Sequence, residues 1–320
     1  MDMDDSNKPV VNGPPGGIVK TIVASILATS LATGCTSILY PETPGDIPAH
    51  TRLALSPNGK RLLVHWRENS GKLQTRLWDL DGEKIKSISF PPLPEDTYTA
   101  AFAKDNNHVL VTTWNTKSSS LLKLDVDSND VEKIYESQKI MRLPLEVTEQ
   151  NYVFLETYDE KNQFSRWHRL DHGKKSVLNN QGYNMIAPLN VLGESLFLIE
   201  PDNKFRVIDG SLPAGLNTLV DESTFYIVCA DKAPLTCLKS RLYFDHEGLS
   251  YSRLEIINGK QRCSIDGKWV DSRERMISRD GSTVVFHAAI KKHGGERAIY
   301  IAHNKASGCT AESVDIKGIR

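Results

Sequence analysis

Arg52-Leu-Ala-Leu-Ser-Pro-Asn-Gly-Lys-Arg-Leu-Leu-Val-His-Trp66 reads as two apolar strands folded about a Pro-Asn-Gly turn. Short apolar runs bounded by turn residues are strand signals, and Gly59 accepts the positive φ such a turn requires. A third strand and another turn follow in Thr75-Arg-Leu-Trp-Asp-Leu-Asp-Gly82. The pattern returns near the C-terminus as Met276-Ile-Ser-Arg-Asp-Gly-Ser-Thr-Val-Val-Phe286, then Ala298-Ile-Tyr-Ile301. Gly59 and Gly281 stand 222 positions apart, five periods of about 44.

Degraded copies fall on the same schedule. His108–Thr112, Tyr152–Leu155, Ser195–Leu198 and Phe225–Cys229 are apolar runs in step with the period, and most third strands end in Asp or Asn just before Gly. Four short strands every 40–50 residues describe a propeller blade, whose faces are buried only when blades stack around an axis. The expected fold is therefore all-β: one six-bladed β-propeller of four-stranded blades over residues 51–318. A large β-sandwich or split barrel is the competing architecture, and it would not need the 44-residue schedule. Trp66, Trp78, Trp114, Trp167 and Trp269 fall on strands and are expected to pack between blades.

Ser56-Pro-Asn-Gly-Lys60 and Ser278-Arg-Asp-Gly-Ser282, each leading into an apolar strand, resemble the WD-like repeats of the TolB propeller and of prolyl oligopeptidase-type propeller domains. The resemblance covers the propeller only. TolB's amino-terminal α/β domain has no room here, and the peptidases' α/β-hydrolase domain is absent.

The leader is a second signal. Lys20 precedes a mostly apolar, uncharged run that closes Leu31-Ala-Thr-Gly-Cys35. A cation, a short apolar stretch and small residues are the parts of a secretory signal, and the run is too short for a membrane span of roughly 20 apolar residues. Gly34-Cys35 resembles the cleavage box of bacterial lipoprotein signal peptides, although Ala32 stands where that family usually has Leu. The resemblance implies a signal peptide over 1–34, lipid on Cys35, and a tether over 35–50 that anchors the chain to membrane. Thr36 and Ser37 follow the cysteine with no inner-membrane-retaining aspartate, which by the same resemblance favours the outer membrane and a periplasm-facing protein. The acidic stretch Met1–Asp5 fits a signal poorly, so Val19 is the expected true start and residues 1–18 are expected not to be translated.

Bulk numbers narrow the function class. Loss of residues 1–34 removes three aspartates and two lysines, taking the formal charge from −1 to 0. A neutral chain without a basic patch argues against nucleic acid. Cys229, Cys237, Cys263 and Cys309 remain, an even number that in an exported chain permits two disulfides in three connectivities. Cys229 with Cys237 is the preferred pair, because Lys232-Ala-Pro234 can fold the chain back; buried free thiols are the alternative.

Catalytic signatures are lacking. Gly248-Leu-Ser-Tyr-Ser252 lacks the closing glycine of a nucleophile elbow, and there is no phosphate loop and no His-Glu-x-x-His. Asp125-Val-Asp-Ser-Asn-Asp130 begins like a calcium loop but lacks its glycine and terminal glutamate, and reads as a hairpin turn. His168 and His172 read as surface histidines, and His287, His293 and His303 as part of a solvated loop. No metal, cofactor or catalytic residue is called.

The expected function is that of a lipid-anchored envelope scaffold that docks another envelope protein. A six-bladed hydrolase or lyase and a carbohydrate-binding module are the alternatives. Candidate docking residues lie in two irregular insertions: Pro91, Pro92 and Pro94 in 90–96, and Lys291, Lys292 and Arg297 in 291–297. Prolines pre-order a loop and lower the entropy lost on binding.

Overall fold

The computed structural model describes residues 51–81, 85–159, 164–178, 190–192, 195–199, 204–221, 223–231, 234–246, 248, 250–259, 261–290, 297–305 and 308–314. Cys35 and the whole leader lie outside them, as do Lys291, Lys292 and His293.

Strands appear where the repeat predicts them. The first sheet holds β1 (Arg52–Leu55), β2 (Arg61–Arg67), β3 (Leu73–Asp79) and β4 (Lys86–Ile88), all antiparallel in chain order. The second holds β5 (Thr97–Phe102), β6 (His108–Trp114), β7 (Ser119–Asp125) and β8 (Val131–Ser137). The third holds β9 (Ile140–Thr148), β10 (Asn151–Asp159), β11 (Phe164–Asp171) and β12 (Lys174–Val177). Third strands end on an Asx residue for a local reason. The Asp79 carboxylate accepts from the Asp81 amide at 2.9 Å, and Asp125 accepts from Asp127 and Ser128 at 2.8 and 2.7 Å. Such side-chain bonds offer the backbone a turn instead of further ladder.

The last two sheets depart from four identical strands. The fourth contains β13 (Asn190–Leu192), β14 (Ser195–Ile199) and β15 (Phe205–Asp209), with no fourth strand among the described residues. Its place in the chain is taken by Gly210-Ser-Leu-Pro-Ala-Gly215 and a 3-10 turn at Leu216–Leu219. Pro213 has no amide to give a ladder and the glycines weaken a strand, so the chain turns, burying Leu216 instead. The final sheet is seven-stranded: β16 (Thr224–Cys229), β17 (Thr236–Phe244), β18 (Ser250–Asn258), β19 (Gln261–Ile277), β20 (Thr283–Ile290), β21 (Arg297–Lys305) and β22 (Gly308–Val314). The first half of β19 pairs with β18 and its second half with β20, so one strand ends one four-stranded set and begins the next.

Successive side chains of a strand face opposite ways, and here both faces are covered. Leu62, Val64 and Trp66 pack with Val285, Ile299 and Ile301 of the last set. Leu63 and Leu77 pack with Val109 and Val111 of the second sheet. Leu110 and Leu121 meet Phe154 and Leu170, Leu155 and Trp167 meet Leu196, and Phe197 meets Ile227 and Cys237. Leu238 and Leu254 then meet Val284 and Phe286. Each cluster joins neighbouring sets, and the chain of clusters returns to its start. That closed circle of stacked sheets is a β-propeller.

Two turns show how tightly the circle closes. Gly59 and Gly281 have φ of +71° and +73° in the turns between first and second strands of the first and last sets. A Cβ on Gly59 would lie 2.5 Å from Thr283 Oγ1. The Asp280 amide donates to the Pro57 carbonyl at 3.2 Å across the same seam. First and last described strands stay in their own sheets, so packing and turn contacts close the seam.

Candidate functional site

The innermost strands are β1, β5, β9, β13, β16 and the second half of β19. β9, β5, β1, β19 and β16 lie side by side in that order, with β13 beside β16. Their first-to-second-strand turns gather at one end of the propeller. There the Asn58 amide donates to Asn106 Oδ1 at 2.8 Å, and the Lys104 amide to Glu146 Oε2 at 2.8 Å. Arg279, in the turn after β19, donates from its guanidinium to the carbonyl of Glu146 on β9. Two innermost strands, β1 and β5, stand between those residues, so the bond crosses the axis rather than following the wall.

At the opposite end the wall is irregular in a repeated way. One extra residue interrupts the register of β5 between Thr97 and Thr99, of β9 between Arg142 and Leu145, of β16 between Thr224 and Tyr226, and of β19 between Arg273 and Met276. Leu143 and Glu274 take φ of +50° and +48° in these bulges. A bulge leaves one residue out of the ladder and re-aims its side chain. Tyr98 and Phe225 are the extra residues of β5 and β16, and they remain 38% and 47% exposed.

Arginines accompany the bulges. The Arg142 guanidinium lies 4.7 Å from the Tyr98 ring centroid, and Arg275 lies 5.5 and 5.0 Å from Phe225 and Tyr226. Arg52 pairs with Glu274 across the seam. An arginine over an aromatic face gains cation–π attraction to the ring. Behind Arg52 is His65, its ladder partner, only 3% exposed, with Nε2 making no hydrogen bond. Burial first, then the charges of Arg52 and Arg67, push its pKa down to about 4, so the ring is neutral.

The proline loop reaches this same end. Leu93 is buried with Leu73 and Phe102, and Arg67 donates to the carbonyls of Glu95 and Thr97 at 2.7 and 3.1 Å. Pro91 and Pro94 are half-buried and Pro92 is exposed, so the loop is a pinned rim. Arg297 opens β21 opposite Ala289, which puts the boundary of the 291–296 insertion at this end also. Cys229 Sγ and Cys237 Sγ are 2.08 Å apart on paired strands, and Cys263 and Cys309 are likewise joined.

Three histidine readings are corrected: His303 lies half-buried on β21 opposite Thr283 rather than in a solvated loop. His168 is 1% exposed, not on the surface: its Nε2 lies 2.9 Å from the Tyr158 hydroxyl and 3.3 Å from Glu156 Oε2. Glu156 also accepts from Ser137 at 2.7 Å and Lys175 at 3.0 Å. Burial alone would raise the Glu156 pKa, but these donors and the neighbouring positive charges outweigh it and hold the carboxyl below its ordinary range. The group is a buried polar brace between second and third sheets, with His168 Nδ1 left without a hydrogen-bond partner. His287 is also buried, on β20, at the position of the last set that His65 occupies in the first.

Sequence reasoning did not find Arg52, Tyr98, Arg142, Phe225, Glu274 or Arg275. Their only signal was a polar or aromatic residue near the start of each first strand, and one inserted residue is invisible without the partner strand.

The β-propeller class has counterparts among solved structures. The β-propeller domain of the Trilobed protease from Pyrococcus furiosus is 15% identical, with a TM-score of 0.50, over 83% of this chain and 84% of that one. Acylaminoacyl peptidase from Pyrococcus horikoshii is 13% identical at 0.49, over 83% of this chain and 45% of that one. Oligogalacturonate lyase from Vibrio parahaemolyticus is 15% identical at 0.46, over 85% and 79%. TolB from Acinetobacter baumannii is 10% identical at 0.36, over 82% and 54%. No family model and no curated protein matches the sequence.

Proposed function

We propose that the chain is an envelope scaffold, a six-bladed propeller held to the outer membrane by lipid on Cys35, that docks another envelope protein. The observation that carries the reading is the repeated bulge at one end of the innermost strands. It turns Tyr98 and Phe225 out of the ladder and sets Arg142 and Arg275 against aromatic rings, beside a pinned proline rim. Tyr98 and Phe225 are exposed, with Arg142 half-buried beside Tyr98 and Arg275 buried beneath Phe225, and aromatic and arginine side chains on a rigid base dominate protein–protein binding energy. Pro91, Pro92, Pro94 and Arg297 form the rim of that surface in this reading, and Lys291 and Lys292, outside the described residues, are proposed as further docking residues.

Site-specific photo-crosslinking in cells tests it. A crosslinker at Tyr98 or Pro92 is expected to trap a discrete protein, whereas one at Val131, exposed on the outer strand β8, traps none. Trapping from Val131 alone refutes this docking face.

A further inference from the structure

We propose, building on that docking face, that the axial mouth takes the acidic carboxyl-terminal segment of a partner protein, inserted end-first. Charge selects the chemistry. Arg142 and Arg67 have no carboxylate partner among the described residues, whereas Glu274 is engaged by Arg52, and Asp221, which accepts from Thr224 beside the β16 bulge, is engaged by Lys239 and Arg241. Arg142 Nε is buried without a hydrogen-bond partner. A guanidinium is a planar fork of donors that fits a carboxylate bidentately.

The backbone selects a peptide. The innermost strands β1, β5, β9, β13 and β16 each pair on one side only, which leaves the edge toward the axis outside any ladder. Free strand edges are what an extended peptide pairs with.

The far end selects a terminus. Arg279 reaches from the last set to the Glu146 carbonyl on β9, and Lys104 Nζ donates to the Val147 carbonyl at 3.2 Å beside it. The Arg279 side chain thus crosses the axis at the turn end, with Lys104 on the wall beside it, and a chain entering at the bulged end meets them. A chain end is accommodated by such a dead end, whereas the middle of a long polymer is not.

The probe is a fluorescein-labelled hexaglutamate peptide with a free C-terminal carboxylate, followed by anisotropy with the full-length protein. Binding is expected, weakening at least tenfold in Arg142→Ala, in 0.5 M salt, and when the peptide is C-terminally amidated. Arg142→Lys is expected to fall between, because it keeps charge and loses the fork. Arg253→Ala, exposed on β18, should bind like the parent, and each variant's melting temperature reports whether it folds. Equal binding by hexaglutamine, or by Arg142→Ala with unchanged melting, overturns the inference. So does trigalacturonate binding that depends on Arg142 where hexaglutamate does not bind, which assigns the mouth to acidic sugar. If hexaglutamate fails while crosslinks still map to Tyr98, docking stands and the acidic tail falls; crosslinks confined to Val131 on the outer strand β8 remove the docking face itself.

Discussion

Gly59 and Gly71 share a backbone conformation but not a neighbourhood, and that difference measures the seam. Their φ values are +71° and +84°. Alanine at either position carries the cost of a left-handed L-residue, about 1 kcal/mol. At Gly71 a Cβ meets nothing within 4 Å, so the loss ends there. At Gly59 it would lie 2.5 and 2.7 Å from Thr283 Oγ1 and Cβ, and a Cβ cannot rotate aside as the end of a long side chain can. Thr283 is only 3% exposed and fixed in the ladder opposite His303. Relieving that overlap needs a backbone shift worth about 1–3 kcal/mol. Gly59→Ala should therefore lose about 2–4 kcal/mol in urea unfolding and melt roughly 5–12 °C lower, against about 1 kcal/mol for Gly71→Ala. Adding Thr283→Gly to Gly59→Ala should recover at least about 1 kcal/mol beyond additivity. Equal losses at the two glycines, with no coupling to Thr283, would refute the close approach of first and last sets.

His65 predicts an acid response. Its folded pKa lies below the roughly 6.5 of an unfolded histidine, so the unfolded chain takes the proton first as pH falls. The stability present above that value is lost between about 6.5 and about 4. The full span is worth about 3 kcal/mol, and His65→Asn should show a smaller drop in urea midpoint from pH 7 to pH 5; parallel curves would remove histidine titration as the cause. Cys35→Ala should release the protein from membranes or leave uncleaved precursor, and unchanged fractionation would sink the lipid anchor. The Cys263–Cys309 bridge closes a 46-residue separation and Cys229–Cys237 one of 8, so Cys263→Ala/Cys309→Ala should cost about 4 kcal/mol against about 2–3 for the shorter pair. Equal costs would count against a loop-length origin.

The repeat was legible because turns are local chemistry. Gly59, Gly281 and the aspartates that end β3, β7 and β11 all act within a few residues, and the sheets form where they point. The lack of a fourth strand in the fourth sheet among the described residues was readable too, in Gly210, Pro213 and Gly215, but the 44-residue schedule overrode it. The mouth was not legible. A bulge is a mismatch between two strands, so Tyr98 or Phe225 alone carries no sign of it. His168 misled for a related reason: its partners Glu156 and Tyr158 are separated from it along the chain, and only stacking of second on third sheet brings Ser137 to Glu156. Polar residues in an outer strand look solvated until a neighbouring blade covers them.

The shared strand β19 has a kinetic consequence. Other neighbouring sets are linked by a loop and can in principle fray one at a time. The last two are spliced through a single backbone, and Cys263 on its first half is bonded to Cys309 on β22, the outermost strand of the following set. Opening either set strips hydrogen bonds from the same strand, so residues from Gln261 to Ile277 should exchange their amide protons as one cooperative unit. A protein built this way has one end of its chain reinforced as a double-width plate. Spontaneous opening of the circle then starts at the seam beside β1 or near the three-stranded fourth sheet, and the plate is the last piece to come apart.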